Sequence, residues 1–237
     1  MIAAVSAAGA QAQTGSFEIV GNGHSVGSAS FQFTATPQGY ESSSLVKVSM
    51  QGLEYALSKT EQLSRTNQLQ HVLLSATVNG QAVNVVATPD ATQLLVNISA
   101  SGKSTTTRLA EHAGAVFLPD FDPGALETLL TLAVMQNNRD LWAIVPKQAG
   151  TVEPVQLATY ADQQGTLDGK PIAVHHLVAM IAGANTDLFS GPENQLLQAE
   201  LPQQGFALIR KGFVLTPPKK PIVPANSAEP APKASAT

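Results

Sequence analysis

Between Ser16 and Ser101, apolar and polar residues trade places at almost every step. Phe17 and Ile19 flank Glu18, and Ala29, Phe31, Phe33 and Ala35 alternate with Ser28, Ser30, Gln32 and Thr34. Val46, Val48 and Met50 alternate with Lys47 and Ser49, and Leu53, Tyr55 and Leu57 with Glu54 and Ser58. Side chains two apart share one face of a strand, so the pattern predicts strands dry on one side and wet on the other. Asn79-Gly80, inside LQHVLLSATVNGQAVNVVATP, predicts a tight hairpin, because a two-residue loop needs positive φ at both central positions. Pro37-Gln38-Gly39 and Pro89-Asp90 read as further turns. Several of these runs exceed the usual strand length of about five or six residues. Long strands twist and coil, which favours a curved sheet or a barrel.

The alternation stops once, at FLPDFDPGALETLLTLAVMQNN. Asp122 is a good N-cap, and Pro123 suits the first helical turn, where its missing N–H costs nothing. Leu126, Leu129, Leu130 and Ala133 follow at i, i+3, i+4 and i+7, and Asn137-Asn138 supplies a stop. The spacing predicts one amphipathic helix over about 122–136. In a curved sheet its leucines belong on the concave side, the one large apolar surface available, with Phe33, Tyr55 or Trp142 among their contacts. Strands then resume at Leu141–Val145, Val155–Asp162, Lys170–Ile181, Gln195–Leu201 and Gly205–Val214. The expected class is therefore mainly β: a long curved antiparallel sheet, or an incompletely closed barrel, with one helix on its concave side.

Composition sets the outer limits. Hydrophobic residues make up 43% of the 237, enough to fill a core, whereas charged residues are only 13%, well below the roughly 25% of an ordinary soluble domain. The net charge of −4, with no basic run in the folded part, argues against a nucleic-acid partner, which would need a clustered positive face. With no cysteine, disulfides, thiolate metal sites and cysteine nucleophiles are excluded. No stretch approaches the roughly 20 apolar residues of a membrane-spanning helix. Residues 1–14 read as a signal-like segment: IAAVSAAGAQA is small and apolar, with small-x-small spacing at Ala8-Gly9-Ala10 and Ala10-Gln11-Ala12. That reading predicts a periplasmic or secreted protein. Residues 15–215 form one β-barrel-like domain, and 216–237, rich in Pro and Ala, form a disordered tail.

Three motifs invite chemistry. Gly23-His24-Ser25-Val26-Gly27 fits G-x-S-x-G, and Gly21-Asn22-Gly23 hints at a phosphate loop. Both need a helix after the glycines, but SASFQFTAT is alternating and strand-like, so the stretch is read as a hairpin turn. His175-His176 cannot share a metal on a regular strand, because adjacent side chains point to opposite faces. Asp120-Phe121-Asp122 offers two carboxylates to a cation, but capping accounts for Asp122 and a calcium loop needs more oxygens. No catalytic residue, metal or cofactor is expected. Core packing is the ordinary role of strand aromatics, yet curved sheets also leave apolar cavities. Phe33, Tyr55, Trp142 and Tyr160, with Leu126 and Leu129 of the helix, are the candidate ligand-lining residues.

The layout as a whole resembles that of a known group. GNGHSVGSASFQF opens the chain, DPGALETLLTLA lies past the middle, GTLDGKPIAVHHLV follows, and NQLLQAELPQQGFALIRKGF closes. This is similar to exported bacterial half-barrel families of unknown function, whose characterised relatives by architecture are the periplasmic lipoprotein carriers. The resemblance implies export, a half-barrel and an apolar groove, and brings no catalytic residue with it. The expected function is non-catalytic binding of a lipid or other apolar small molecule in the cell envelope. The alternative is a structural or interaction module meeting an envelope protein through a sheet edge or the tail.

Overall fold

A computed structural model describes residues 13–147 and 150–217. The signal-like stretch up to Ala12 and the tail from Pro218 lie outside the described residues. Gln13 and Thr14, grouped with the signal-like segment from sequence, belong instead to the first strand.

The amino-terminal half is a meander of eight strands: β1 (Gln13–Gly21), β2 (His24–Thr36), β3 (Gly39–Met50), β4 (Leu53–Ser64), β5 (Leu69–Val78), β6 (Gln81–Asp90), β7 (Gln93–Ala100) and β8 (Lys103–Ala110). Each pairs antiparallel with the next. The predicted turns at Asn22-Gly23 and Asn79-Gly80 form with φ near +50° at the asparagine and 79° at the glycine. β2 runs on from His24 as a strand, so Ser25 lies in a hairpin and not at a nucleophile elbow. The turn expected at Pro89-Asp90 forms two residues later, at Ala91-Thr92. Pro89 and Asp90 pair with Leu94 and Gln93, and Ala91 takes the positive φ of 56°.

After β9 (Ala115–Phe117) comes α1 (Pro123–Met135), close to the predicted span, and then β10 (Leu141–Val145), β11 (Thr151–Thr159), β12 (Gln163–Leu167), β13 (Lys170–Ile181), β14 (Ala184–Ser190), β15 (Leu196–Leu201), β16 (Phe206–Arg210) and β17 (Phe213–Leu215). β1 joins the two halves by pairing with β16. The sheet therefore runs β8 to β1 in descending order, then β16, β15, β14, β13, β11, β10 and β9. The β9–β10 pair is the parallel one. The sheet does not close. It does curl: α1 packs on β1, β2 and β3 from one arm and on β15, β9 and β10 from the other. Strands so far apart in sheet order can touch one helix only if the sheet wraps round it, which places α1 on the concave side.

Leu126, Leu129 and Leu130 are buried there, in one core with Phe17, Ile19, Phe31, Val46 and Leu188. Burial extends round the first three turns of α1 and takes in Glu127 and Thr128 as well as the predicted leucine face. A second, smaller core lies on the opposite face of β14–β16, where β12 and β17 cover Phe189, Leu197 and Ile209 with Phe213 and Leu215. Leu196 to Ala199 are consequently all buried, as expected of a strand covered on both faces.

Candidate functional site

The two ends of α1 differ in chemistry. At its start, Asp122 Oδ1 accepts from the backbone N–H of Gly124 (2.9 Å) and of Ala125 (3.2 Å), satisfying two donors that a helix leaves unpaired. Its other oxygen meets Lys59 Nζ at 2.7 Å, and the same ammonium contacts Glu61 Oε2 at 2.8 Å. All three side chains are fully buried. Lys59 and Glu61 share the inward face of β4 with Leu57 and Leu63, so period two delivers an ion pair into the core. Burial alone would pull the Lys59 ammonium down, but the carboxylates of Asp122 and Glu61 overcome it and its pKa is displaced upward. Burial pushes Glu61 up against the opposing pull of Lys59. Ser42, directly across from Glu61, and Ser44, across from Lys59, keep hydroxyl oxygens without a partner, as does Glu61 Oε1.

Gly124 lets this end press onto the sheet: a Cβ there would come within 2.5 Å of Ser44 Oγ and 3.0 Å of Phe31 Cβ. One turn on, Glu127 is buried and accepts from the Leu196 amide at 2.7 Å, beside the bulge that offsets Leu197 in β15. Burial pushes its carboxyl up to about 7, opposed by the Leu196 hydrogen bond and by Arg210. Arg210 itself donates to the carbonyls of Leu196 (3.0 Å) and Thr14 (2.6 Å). The amino-terminal half of α1 is thus tied to β4 and to β15, one from each arm of the sheet.

The last turn has no such ionic anchor; among the described residues its one side-chain tie is an exposed bond that Asn67 Nδ2 donates to Met135 Sδ at 3.2 Å. Val134 and Met135 are 57% and 51% exposed on a helix otherwise almost wholly buried. They form one wall of a cleft of about 330 Å³, whose apolar floor includes Phe33, Ala35, Tyr40 and Leu63. Gln13, Asn67, Thr128, Thr131, Glu193 and Asn194 supply its polar groups. Volume and lining fit the usual ligand pocket, mostly apolar with a few polar groups at the edge.

Near the start of α1, the segment Leu118–Asp122 separates two smaller clefts. One, of about 250 Å³, is lined by Phe121, Leu126, Val145, Ile181 and Leu208, and the other, of about 130 Å³, by Tyr55, Leu57, Leu74 and Val85. Phe121 sits at φ 57°, costly for an aromatic residue. It packs edge-on between Tyr55 of β4 (6.1 Å) and Phe206 of β16 (5.0 Å), bridging the mouth of the curl. Asp120 pairs with the exposed Lys147 at 2.8 Å. Its carbonyl accepts from the Tyr55 hydroxyl at 3.4 Å. The two carboxylates of Asp120-Phe121-Asp122 therefore face different cations, Lys147 and Lys59.

The structure divides the six candidate ligand residues. Phe33 lines the cleft at the end of α1, while Tyr55 and Leu126 line the two at its start. Leu129 is core, and Trp142 stacks on His112 with ring centroids 3.8 Å apart. Tyr160 is 54% exposed and lies against His176. The neighbouring histidines take separate partners, His175 with Asp162 at 3.0 Å and His176 with Asp187 at 2.8 Å. Val134 and Met135 went unrecognised because a helix tail carries no sign of what it faces. Lys59 and Glu61 did carry a sign, two charges at inward parity in β4.

Comparison of the chain with protein-family models, with curated proteins and with solved structures finds no match. The fold defines a mainly β protein, one open sheet curled round a single helix. Among the described residues, no helix is long and apolar enough to cross a membrane.

Proposed function

We propose that this protein is a non-catalytic binding protein of the cell envelope that holds a lipid or other apolar small molecule in the cleft at the carboxy-terminal end of α1. The observation that carries the reading is the exposure of Val134 and Met135 opposite Phe33 and Leu63. Two large apolar side chains left open to water on a buried helix are unfavourable by themselves, and an apolar ligand would cover them. The resemblance of the layout to exported half-barrel families, and the signal-like reading of residues 1–14, favour the same proposal.

The test is titration of the full chain with an environment-sensitive apolar dye. Saturable binding is expected, and Ala35→Trp, an exposed substitution that fills the cleft, should abolish it. Dye binding that Ala35→Trp leaves intact, or no binding at all, would contradict the proposal. A second reading rests on β8, which among the described residues pairs with β7 alone and is exposed along most of its length. An unpaired edge can accept a strand from an envelope protein. Crosslinking through Lys103 in host extracts would then capture such a partner.

A further inference from the structure

The cleft at the end of α1 has a sign as well as a shape. Among the described residues lining it none is Lys, Arg or His, and one, Glu193, is a carboxylate. Among the described residues Glu193 enters no ion pair. Helix α1 ends beside the cleft with no basic residue in its last turn, although the carbonyls of Leu132, Ala133 and Val134 are taken up by the amides of Gln136, Asn138 and Asn137, so Glu193 and not the helix terminus sets the sign. Two aromatic residues, Phe33 and Tyr40, contribute to the floor, and ring faces attract cations. Three arginines lie nearby without lining the cleft: Arg65 donates to the Pro37 carbonyl at 2.7 Å, Arg139 is exposed beyond the C-cap, and Arg210 is held by the Leu196 and Thr14 carbonyls. A carboxylate and two aromatic rings favour the same charge.

Building on the apolar-ligand reading above, we infer that this cleft selects a cationic amphiphile: an alkyl or aryl body along Phe33, Leu63, Val134 and Met135, with an ammonium head at Glu193. An anionic head placed there would lose water and gain no counter-charge. Glu193, which is exposed, is then a specificity-determining residue.

Isothermal titration of the full chain with decyltrimethylammonium and with decanoate, each below its micellar concentration, tests this. The ammonium should bind about tenfold more tightly, the combined effect expected of the Glu193 carboxylate and a cation–π contact. Glu193→Gln should narrow that ratio, and Glu193→Lys should reverse it. If neither probe binds, the apolar-ligand reading falls and takes this inference with it. If decanoate binds as well as the ammonium, and Ala35→Trp abolishes both, the cleft stands as a ligand site and only the inference about charge is overturned. An ammonium preference that Glu193→Gln leaves unchanged belongs to the net negative surface of the chain and overturns it too.

Discussion

The first and last turns of α1 differ both in their residues and in their environments. Asp122 and Glu127 are buried and tied to β4 and β15 by ionic and hydrogen bonds, whereas Val134 and Met135 line an open cleft. The polar residues are inside and the apolar ones outside, the reverse of what their hydropathy alone would select. Fixing one end with buried charge lets the other stay exposed without the helix leaving the sheet. A ligand site next to such an anchor needs no rearrangement to form.

The contrast can be broken most severely at Lys59. Lys59→Met leaves Glu61 and Asp122 as buried carboxylates without a cation, and should cost about 3–5 kcal/mol in urea unfolding at pH 7. A loss under about 1 kcal/mol would mean the cluster does not anchor the helix. Leu129→Ala, in the middle of α1, should cost about 2–5 kcal/mol because the rigid wall of strands around it cannot collapse into the gap. A markedly smaller cost would show that the helix lies loosely over the concavity and does not fill it.

Glu127 sharpens the comparison through pH. Its folded-state pKa is raised by burial from 4.5 to about 7, so its contribution to stability is fully present below pH 4.5 and is lost as pH rises through 7. Raising pH from 5 to 8 should therefore cost about 2–3 kcal/mol from this group, with Glu61 acting in the same direction. Glu127→Gln, which keeps an acceptor for the Leu196 amide, should flatten most of that slope in urea unfolding followed across pH. An unchanged slope would place the titration elsewhere. The smallest stability effect belongs to the free end: Val134→Ser with Met135→Ser should shift stability by less than about 0.5 kcal/mol, as exposed substitutions do, while abolishing uptake of an apolar dye.

Much of this architecture is legible in the chain because one wet face leaves a period of two. The meander from β1 to β7, the Asn-Gly hairpins and the Asp122 cap are all visible in that way. The pattern fails where both faces are covered: Leu196, Leu197, Gln198 and Ala199 show no alternation because β12 and β17 bury the outer side. The short β12 and β17 carry too few residues to register a period. At the candidate site, Phe33 is legible as an inward strand aromatic. Its partners Val134 and Met135 are brought opposite it by the curl of the sheet, a long-range effect that no local spacing encodes. Lys59 and Glu61 continue the parity of Leu57 and Leu63, so the anchor was readable once charges were allowed on an inward face.

The central claim is that the anchored end of α1 holds and the free end binds. Photolabelling of the full chain with an alkyl diazirine, followed by peptide mapping, addresses it directly. The account predicts saturable labels on the peptides carrying Val134, Met135 and Phe33, lost in Ala35→Trp. Labels concentrated on Phe121, Ile181 and Leu208, around the cleft at the anchored end, would contradict it.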